Sequence, residues 1–445
     1  MKHIFMLTAV VSALVMLAGC HKEETVNISK PLVVTSQGIA SDTLSGSVKG
    51  SMISGKTYYF RTDITINAGD TLFMQQGAKL IALGDGASYS TSPQITVNGT
   101  FISNGTQEQQ NWITVPTEKK TTANIFKGFW GGIQCGAGSG NVIIRWTHIE
   151  YVGGPAGPAN DPSLYTSGSP RYGLVYSNIS GNVILEDSWI TASKDDGMRV
   201  LAGQFSIMRN TFEANGESGG ESFNCKSGAL GDIGYNVFIG AATNGCKISN
   251  SGGTTVQCNT VIYNNTFINC GFRQVQTGRG GSINYEKGAK GMIYNNMIVN
   301  CRYGPRLTTD ADLTNIAYDN QYFYANSNVL YAQFYPPTGV ATAKSNDIRG
   351  TTSGDKKPQF ATYTVDGFDY STVTIPMSIT VMPAYLYRMS SSDFRPTPGS
   401  PMLNKGRTSF QPLKKTTVAG AYTASVSMPG ADIGAYQNDG SGNLH

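Results

Sequence analysis

One block of this chain is copied without a gap. SFNCKSGALGDIGYNV (Ser222–Val237) aligns with SINYEKGAKGMIYNNM (Ser282–Met297) at a fixed offset of 60 residues. Between them, NGCKISNSG and VIYNNTF keep the same order of short run, turn and short run. Flanking copies begin at Asp195 (DDGMRVLAGQFSIMRNTF) and at Tyr303 (YGPRLTTDADLTNIAYDN). Self-similarity at a period of roughly 20–50 residues marks a stacked architecture, in which each unit buries its apolar side against its neighbours. The runs are β-branched and aromatic and are broken by Gly and Asn. The stack is therefore expected to be coils of strand rather than pairs of helices. The composition agrees: 53 glycines supply turns and only 14% of residues are charged. Solenoids grow by adding coils, so 445 residues need not mean several domains.

Period-two alternation sorts one strand of each coil into two sides. In GMRVL, SFNCK, GCKIS, SINYE and GPRLT, the pairs Met198/Val200, Phe223/Cys225, Cys246/Ile248, Ile283/Tyr285 and Pro305/Leu307 are expected to point inward. Arg199, Asn224, Lys226, Lys247, Ser249, Asn284, Glu286, Arg306 and Thr308 then point outward. With coils ~4.8 Å apart this makes a vertical stripe of cations and amides, long enough for several sugar units of an extended acidic glycan. Arginine forks onto carboxylates and sulfates. The turn before this strand carries Asp195 and Asp196 in one coil, Glu221 in the next, then Asn244. Stacked oxygens suit Ca²⁺, so Asp195, Asp196 and Glu221 are the candidate metal ligands. Any solenoid face in water is polar, which is the competing, purely structural account of the stripe.

Other columns read as structural. Asp187, Asn210, Asn236, Asn265, Asn296 and Asn320 each precede a hydrophobic strand. Asn tolerates left-handed backbone and can bond its copy in the next coil, so a ladder is expected. Trp189, Phe212, Phe238 and Phe267 are expected to form an interior aromatic stack. Cys270 and Cys301 lie one coil apart and should stack, either as a disulfide or as small apolar neighbours. Of the aromatics near the start, Tyr58, Tyr59 and Trp112 could face sugars, while Phe129 and Trp130 are expected to cover the first coils.

The first twenty residues, MKHIFMLTAVVSALVMLAGC, have a basic start, an apolar core and small residues before a cysteine. That is a secretory signal. Leu17-Ala18-Gly19-Cys20 resembles the bacterial lipobox, which implies lipidation at Cys20. His21-Lys22-Glu23-Glu24 is similar to the signal that sends Bacteroidota lipoproteins to the outer face of the outer membrane. A lipid-anchored, surface-exposed protein of the outer membrane is expected, attached to the membrane through Cys20. The net charge of +4, with no polybasic run, gives no argument for nucleic acid, and a monomer is expected.

FWGGIQCGAGSGNVIIRWTHIEYVGG (Phe129–Gly154) and RYGLVYSNISGNVILEDSWITASKDDG (Arg171–Gly197) read as two full coils. With the repeats above, they resemble the right-handed parallel β-helix family, the pectate-lyase-like solenoids, over residues 45–335. SSDFRPTPGSPMLNKG and ADIGAYQ resemble the terminal segment of many secreted β-helix proteins. The expected organisation is a signal peptide over 1–20, a linker over 21–44, the helix over 45–335, and last coils with a cap over 336–445.

The resemblance implies a site on an outer strand face. In polysaccharide lyases of this fold a Lys or Arg takes the proton α to a carboxylate, while Ca²⁺ or Arg neutralises the acid. That implies Lys226 and Lys247 as candidate bases, Arg199 and Arg306 as neutralising groups, and Asn224, Ser249, Asn284 and Glu286 as substrate contacts. Asp195-Asp196-Gly197 is similar to the paired aspartates of β-helix glycosidases, but the polygalacturonase pattern also needs a His motif. The histidines here are His3, His21, His148 and His445, and His148 in RWTHIEY lies on an earlier coil. The paired-Arg signature of classical pectate lyases is also missing around Pro305. No phosphate-binding loop, dinucleotide fingerprint, zinc spacing or nucleophile elbow is present. The expected function is processing of an acidic polysaccharide, by β-elimination if catalytic. The alternative is a surface glycan-binding protein or adhesin.

Overall fold

The computed structural model describes residues 37–367, 369–370, 373–377 and 392–445, so Cys20 and the segment around it lie outside the described residues. The chain is nearly all β and winds as a right-handed parallel β-helix. Each coil contributes a strand to three faces in turn. In one coil these are Met198–Val200 on the first face, Gly203–Met208 on the second and Thr211–Glu213 on the third. Every ladder between consecutive coils is parallel, from Thr43–Ser47 to Tyr322–Tyr324. Ile, Val, Leu, Phe and Cys fill one continuous interior between the faces. The end after Tyr324 is closed by residues 326–341, whose Leu330, Phe334 and Ala341 join that interior. Covering it hides strand edges that would otherwise pair with other chains.

The alternation read from sequence holds on the first face. Met198, Phe223, Cys246 and Ile283 stand in register, as do Arg199, Asn224, Lys247, Asn284 and Arg306. The asparagine ladder is real but shifted at its ends. Asn210 bonds Asn236 at 2.9 Å, Asn236 bonds Asn265 at 2.9 Å and Asn265 bonds Asn296 at 2.9 Å. Ser188 and Gln321 extend this column, in place of the expected Asp187 and Asn320. Those two stand one residue earlier, with Arg209, Tyr235, Asn264 and Asn295, in the position that turns left-handed. The bend and the ladder therefore belong to adjacent residues, two jobs that sequence reading had merged into one.

Phe212, Phe238 and Phe267 stack inside at 4.9 and 4.8 Å, as expected. Trp189 does not join them. It pairs with Thr211 while Ile190 pairs with Phe212, so its ring points outward. There it stacks between His148 at 4.1 Å and His445 at 3.7 Å. Cys270 and Cys301 are buried free thiols. Phe129 and Trp130 are buried over the first coils.

The second face departs from the polar-outside rule. Ile102, Ile143 and Ile184 point away from the interior and are buried under Val418. Tyr263 and Tyr294 lie under Phe410, with ring centroids 5.6 and 4.8 Å from it. Buried Asp232 on the same face accepts the backbone N–H groups of Leu413 and Lys414, both at 2.7 Å. Residues 407–428 thus lie along the side of the solenoid as a strap.

Candidate functional site

The outward column of the first face lies at the bottom of a polar cleft of about 220 Å³. Its lining includes Asp195, Asp196, Arg199, Glu221, Asn244, Lys247, Asn284, Glu286 and Arg306. Two long connections leading into first-face strands border it, the first by packing on Arg199 and the second by lining it. One joins Thr147–Glu150 to Leu174–Tyr176 and folds over the preceding coils. Its Tyr165 hydroxyl donates to Gln134 at 2.8 Å, and it buries Val175. Its Tyr172 ring lies 3.8 Å from the Arg199 guanidinium. The other, between Thr266–Ile268 and Gly281–Glu286, brings Gln274 and Arg279 to the cleft. At the far end Arg306 donates to Asn284 at 2.8 Å and to the Thr338 carbonyl at 3.2 Å, and Thr338 reaches back to Gly278 at 3.2 Å. The stripe expected to run open along the face is thus bounded at both ends. Its volume falls below the ~300–1,000 Å³ of pockets for drug-sized ligands, which suits one sugar unit better than several.

The charges are mutually committed. Arg199 binds Asp196 at 2.6 Å. Lys247 lies 3.8 Å from Glu221 and 3.2 Å from Glu286. Asn224 is buried beneath the cleft, and its amide donates to Asp196 at 2.9 Å and to Glu221 at 3.3 Å. Its own Oδ1 is buried with no hydrogen-bond partner among the described residues. Asp196 also accepts the Glu221 backbone N–H at 2.8 Å.

These surroundings split the carboxyls. Burial, then the charge of Asp196, pushes Glu221 up to about 8. The same two causes push Asp195 up to about 7. Burial would raise Asp196 as well, but Arg199 and the hydrogen bonds from Glu221 outweigh it and hold Asp196 below its ordinary value. Burial likewise opposes ionisation of Glu286, and Lys247 with its hydrogen-bonding neighbours reverses that and lowers it. Lys226 is lowered by burial first, then by the cations Arg199 and Lys247. Close groups pushed apart in this way are how one site holds an acid and a base at once.

Of the residues expected from sequence, Arg199, Lys247, Asn284, Glu286, Arg306, Asp195, Asp196 and Glu221 come together at the cleft. Lys226, Asn224 and Ser249 do not line it. Lys226 turns to Ser251 at 3.4 Å, and Ser249 is buried against Ser251 at 2.9 Å. Tyr172, Gln274 and Arg279 were missed. The readable signal was the length of their connections, since long loops in a compact repeat carry function more often than short turns. Asp195, Asp196 and Glu221 do gather, but Asp196 is paired with Arg199 and Glu221 with Lys247. Among the described residues no three His, Cys, Asp or Glu side chains are disposed to hold a metal ion. A calcium ion here would compete with Arg199 and Lys247 for the same oxygens. Among the described residues, no helix is long and apolar enough to cross a membrane.

The class of molecule is thus an all-β parallel solenoid with a polar cleft on its first face. No family model, curated protein or solved structure matches this chain.

Proposed function

We propose that the chain processes an acidic polysaccharide at the first-face cleft, taking one sugar unit from a chain end, with Glu221 as the proton donor. The observation that carries this reading is the pair of adjoining carboxyls in the cleft: Asp196 is held by Arg199 at 2.6 Å and by the Glu221 N–H at 2.8 Å, while burial and the charge of Asp196 push Glu221 upward. A leaving glycosidic oxygen needs such a donor within hydrogen-bond reach. Arg306 and Arg279 at the far rim would pair with the substrate's carboxylate. The bounded cleft favours a chain end over the middle of a polymer.

For lyase-type β-elimination the base must lose its proton readily. Lys226, lowered by burial and by two neighbouring cations, suits that. Its place outside the cleft lining weighs against it. A second route, hydrolysis, would use Glu221 as acid and Asp195, the other raised carboxyl of the cleft lining, as its partner, since Asp196 is fully buried and engaged by Arg199 and Asn224. Cell-surface attachment through Cys20 belongs to the same proposal, because a secreted anchor would hold the cleft where polymers are met.

Purified protein from Thr25 onward, incubated with polygalacturonate, alginate and hyaluronate with and without Ca²⁺, tests the proposal. Ultraviolet absorbance of unsaturated uronates reports elimination, and new reducing ends without absorbance report hydrolysis. Either signal should fall at least a hundredfold in Glu221→Gln. Reducing ends released while viscosity barely changes are expected from chain-end attack. Binding without any product would instead support the surface glycan-binding or adhesin reading.

A further inference from the structure

The third face carries a second depression, which starts five coils before the cleft and ends three coils before it. Its strands are the first half of Thr57–Ile66, then Lys79–Ala82 and Asn111–Thr114. Register places Thr57, Lys79 and Trp112 in one outward column and Tyr59, Ile81 and Thr114 in the next. Together they line a groove of about 440 Å³, inside the size range of ligand pockets. A neighbouring depression of about 510 Å³ shares Lys79 and Trp112 and adds Gln107, Glu108, Gln109 and Gln110.

Three properties set this surface apart from ordinary solenoid exterior. Its aromatic rings are accessible: Tyr59 is 38% exposed and Trp112 half-buried. Trp112 is held in place, because it ends a column of four rings in which it stacks on His148 at 3.6 Å with an interplanar angle of 2°. His148 is fixed in turn by Gln110 at 2.8 Å and by Trp189. Finally, the groove itself, unlike the neighbouring depression with its Glu108, is lined by one sign of charge. Lys79 and Lys120 line the 440 Å³ groove, and no carboxylate does among the described residues. Lys120 is tied to Glu150 at 2.6 Å, whereas Lys79 has no ion-pair partner among the described residues.

We infer that this groove is a second binding site, for the body of an acidic glycan chain. Tyr59 presents an exposed ring to the C–H side of a sugar, while Trp112, stacked on His148 and with the Lys120 ammonium 4.5 Å over its ring, forms a rigid wall of the groove. Glutamine amides and threonine hydroxyls meet their hydroxyls, and Lys79 meets a carboxylate. The groove would tether a polymer while the first-face cleft works on an end. The inference rests on the proposed function only for the chemical class of the ligand.

Affinity gel electrophoresis in polygalacturonate and in alginate tests it, using Tyr59→Ala/Lys79→Gln and, as a cleft control, Lys247→Gln. Both altered groove residues are exposed, and unchanged thermal melting would confirm that the fold is kept. Retardation by at least one polymer is expected, weakened at least fivefold by the groove variant and changed less than twofold by Lys247→Gln. Retardation untouched by the groove variant overturns the inference, as does no retardation by either polymer. If Lys247→Gln alone abolishes retardation, the groove is refuted and the cleft reading stands. If the groove variant alone does so while no polymer yields product, the groove stands and the cleft reading fails.

Discussion

Two vertical columns of polar side chains run through the same coils at the same spacing, and they are built on opposite terms. In the ladder Asn210–Asn236–Asn265–Asn296 each amide bonds its copy and a backbone carbonyl. Asn236, for example, donates to Ile207 and Asn265 and accepts both the backbone and side-chain N–H of Asn210. Nothing is left for a ligand. The first-face column Arg199–Asn224–Lys247–Asn284–Arg306 sets cations and amides against neighbouring carboxyls, two of which burial and Asp196 push up in pKa, and it leaves the Asn224 Oδ1 buried without a partner among the described residues. Buried polar groups in native proteins are nearly always satisfied, and exceptions cluster where function needs them. The neutral, self-satisfied column is architecture, and the charged, unsatisfied one is the place to look for chemistry.

The largest expected effect breaks the ladder. Asn236→Ala removes four buried hydrogen bonds and leaves their partners without replacements. At about 1 kcal/mol for each, the loss is about 4 kcal/mol, measured by denaturant unfolding. The strap provides a smaller one. Phe410→Ala uncovers Tyr263 and Tyr294 and should cost about 2–3 kcal/mol, below the usual 3–5 for a core phenylalanine because one side of Phe410 is strap rather than core. Neither change should alter the pH dependence of stability. A ladder variant that shifted it would show that the two columns are coupled.

The parts legible in sequence were those that repeat. Alternation and the 60-residue offset placed Arg199, Asn224, Lys247, Asn284 and Arg306 in one column, because strand geometry leaves an aligned residue no other side to face. The parts that escaped depend on contacts between distant segments. Tyr172 reaches Arg199 only because its connection folds back over earlier coils, and no periodicity encodes that. The outward Ile102, Ile143 and Ile184 break the polar-outside rule because a strap more than 200 residues away in sequence covers them. Trp189 was assigned inward because a one-residue slip moves a side chain to the opposite face. The adjacent turn, with its left-handed residue at Asp187, hid the slip.

The sharpest test of the comparison is the smallest in stability and the most specific in sign. The ordinary value for Glu221 is 4.5, and in the folded chain it stands at about 8. Between these values the native state holds a proton that the unfolded chain releases. The contribution of Glu221 to stability is therefore fully present below about pH 4.5 and is lost as pH rises through about 8. Asp195 acts in the same direction between 3.8 and about 7. Asp196, held low, acts oppositely and only in acid, where stability is lost as pH falls through its lowered value. Glutamine mimics the protonated carboxyl at every pH. Glu221→Gln should accordingly match the parent near pH 4.5 and exceed it at pH 8.5, by about 1–3 kcal/mol at one pKa unit per 1.36 kcal/mol with allowance for relaxation. Melting temperatures at the two pH values measure it. The same proton governs the proposed chemistry, so processing should decline above about pH 8 as Glu221 ionises. A variant more stable at alkaline pH yet inactive would mean that the cleft keeps a costly charge arrangement for its chemistry. A variant with no gain in stability would put Glu221 among the satisfied, structural residues, and the contrast between the two columns would collapse.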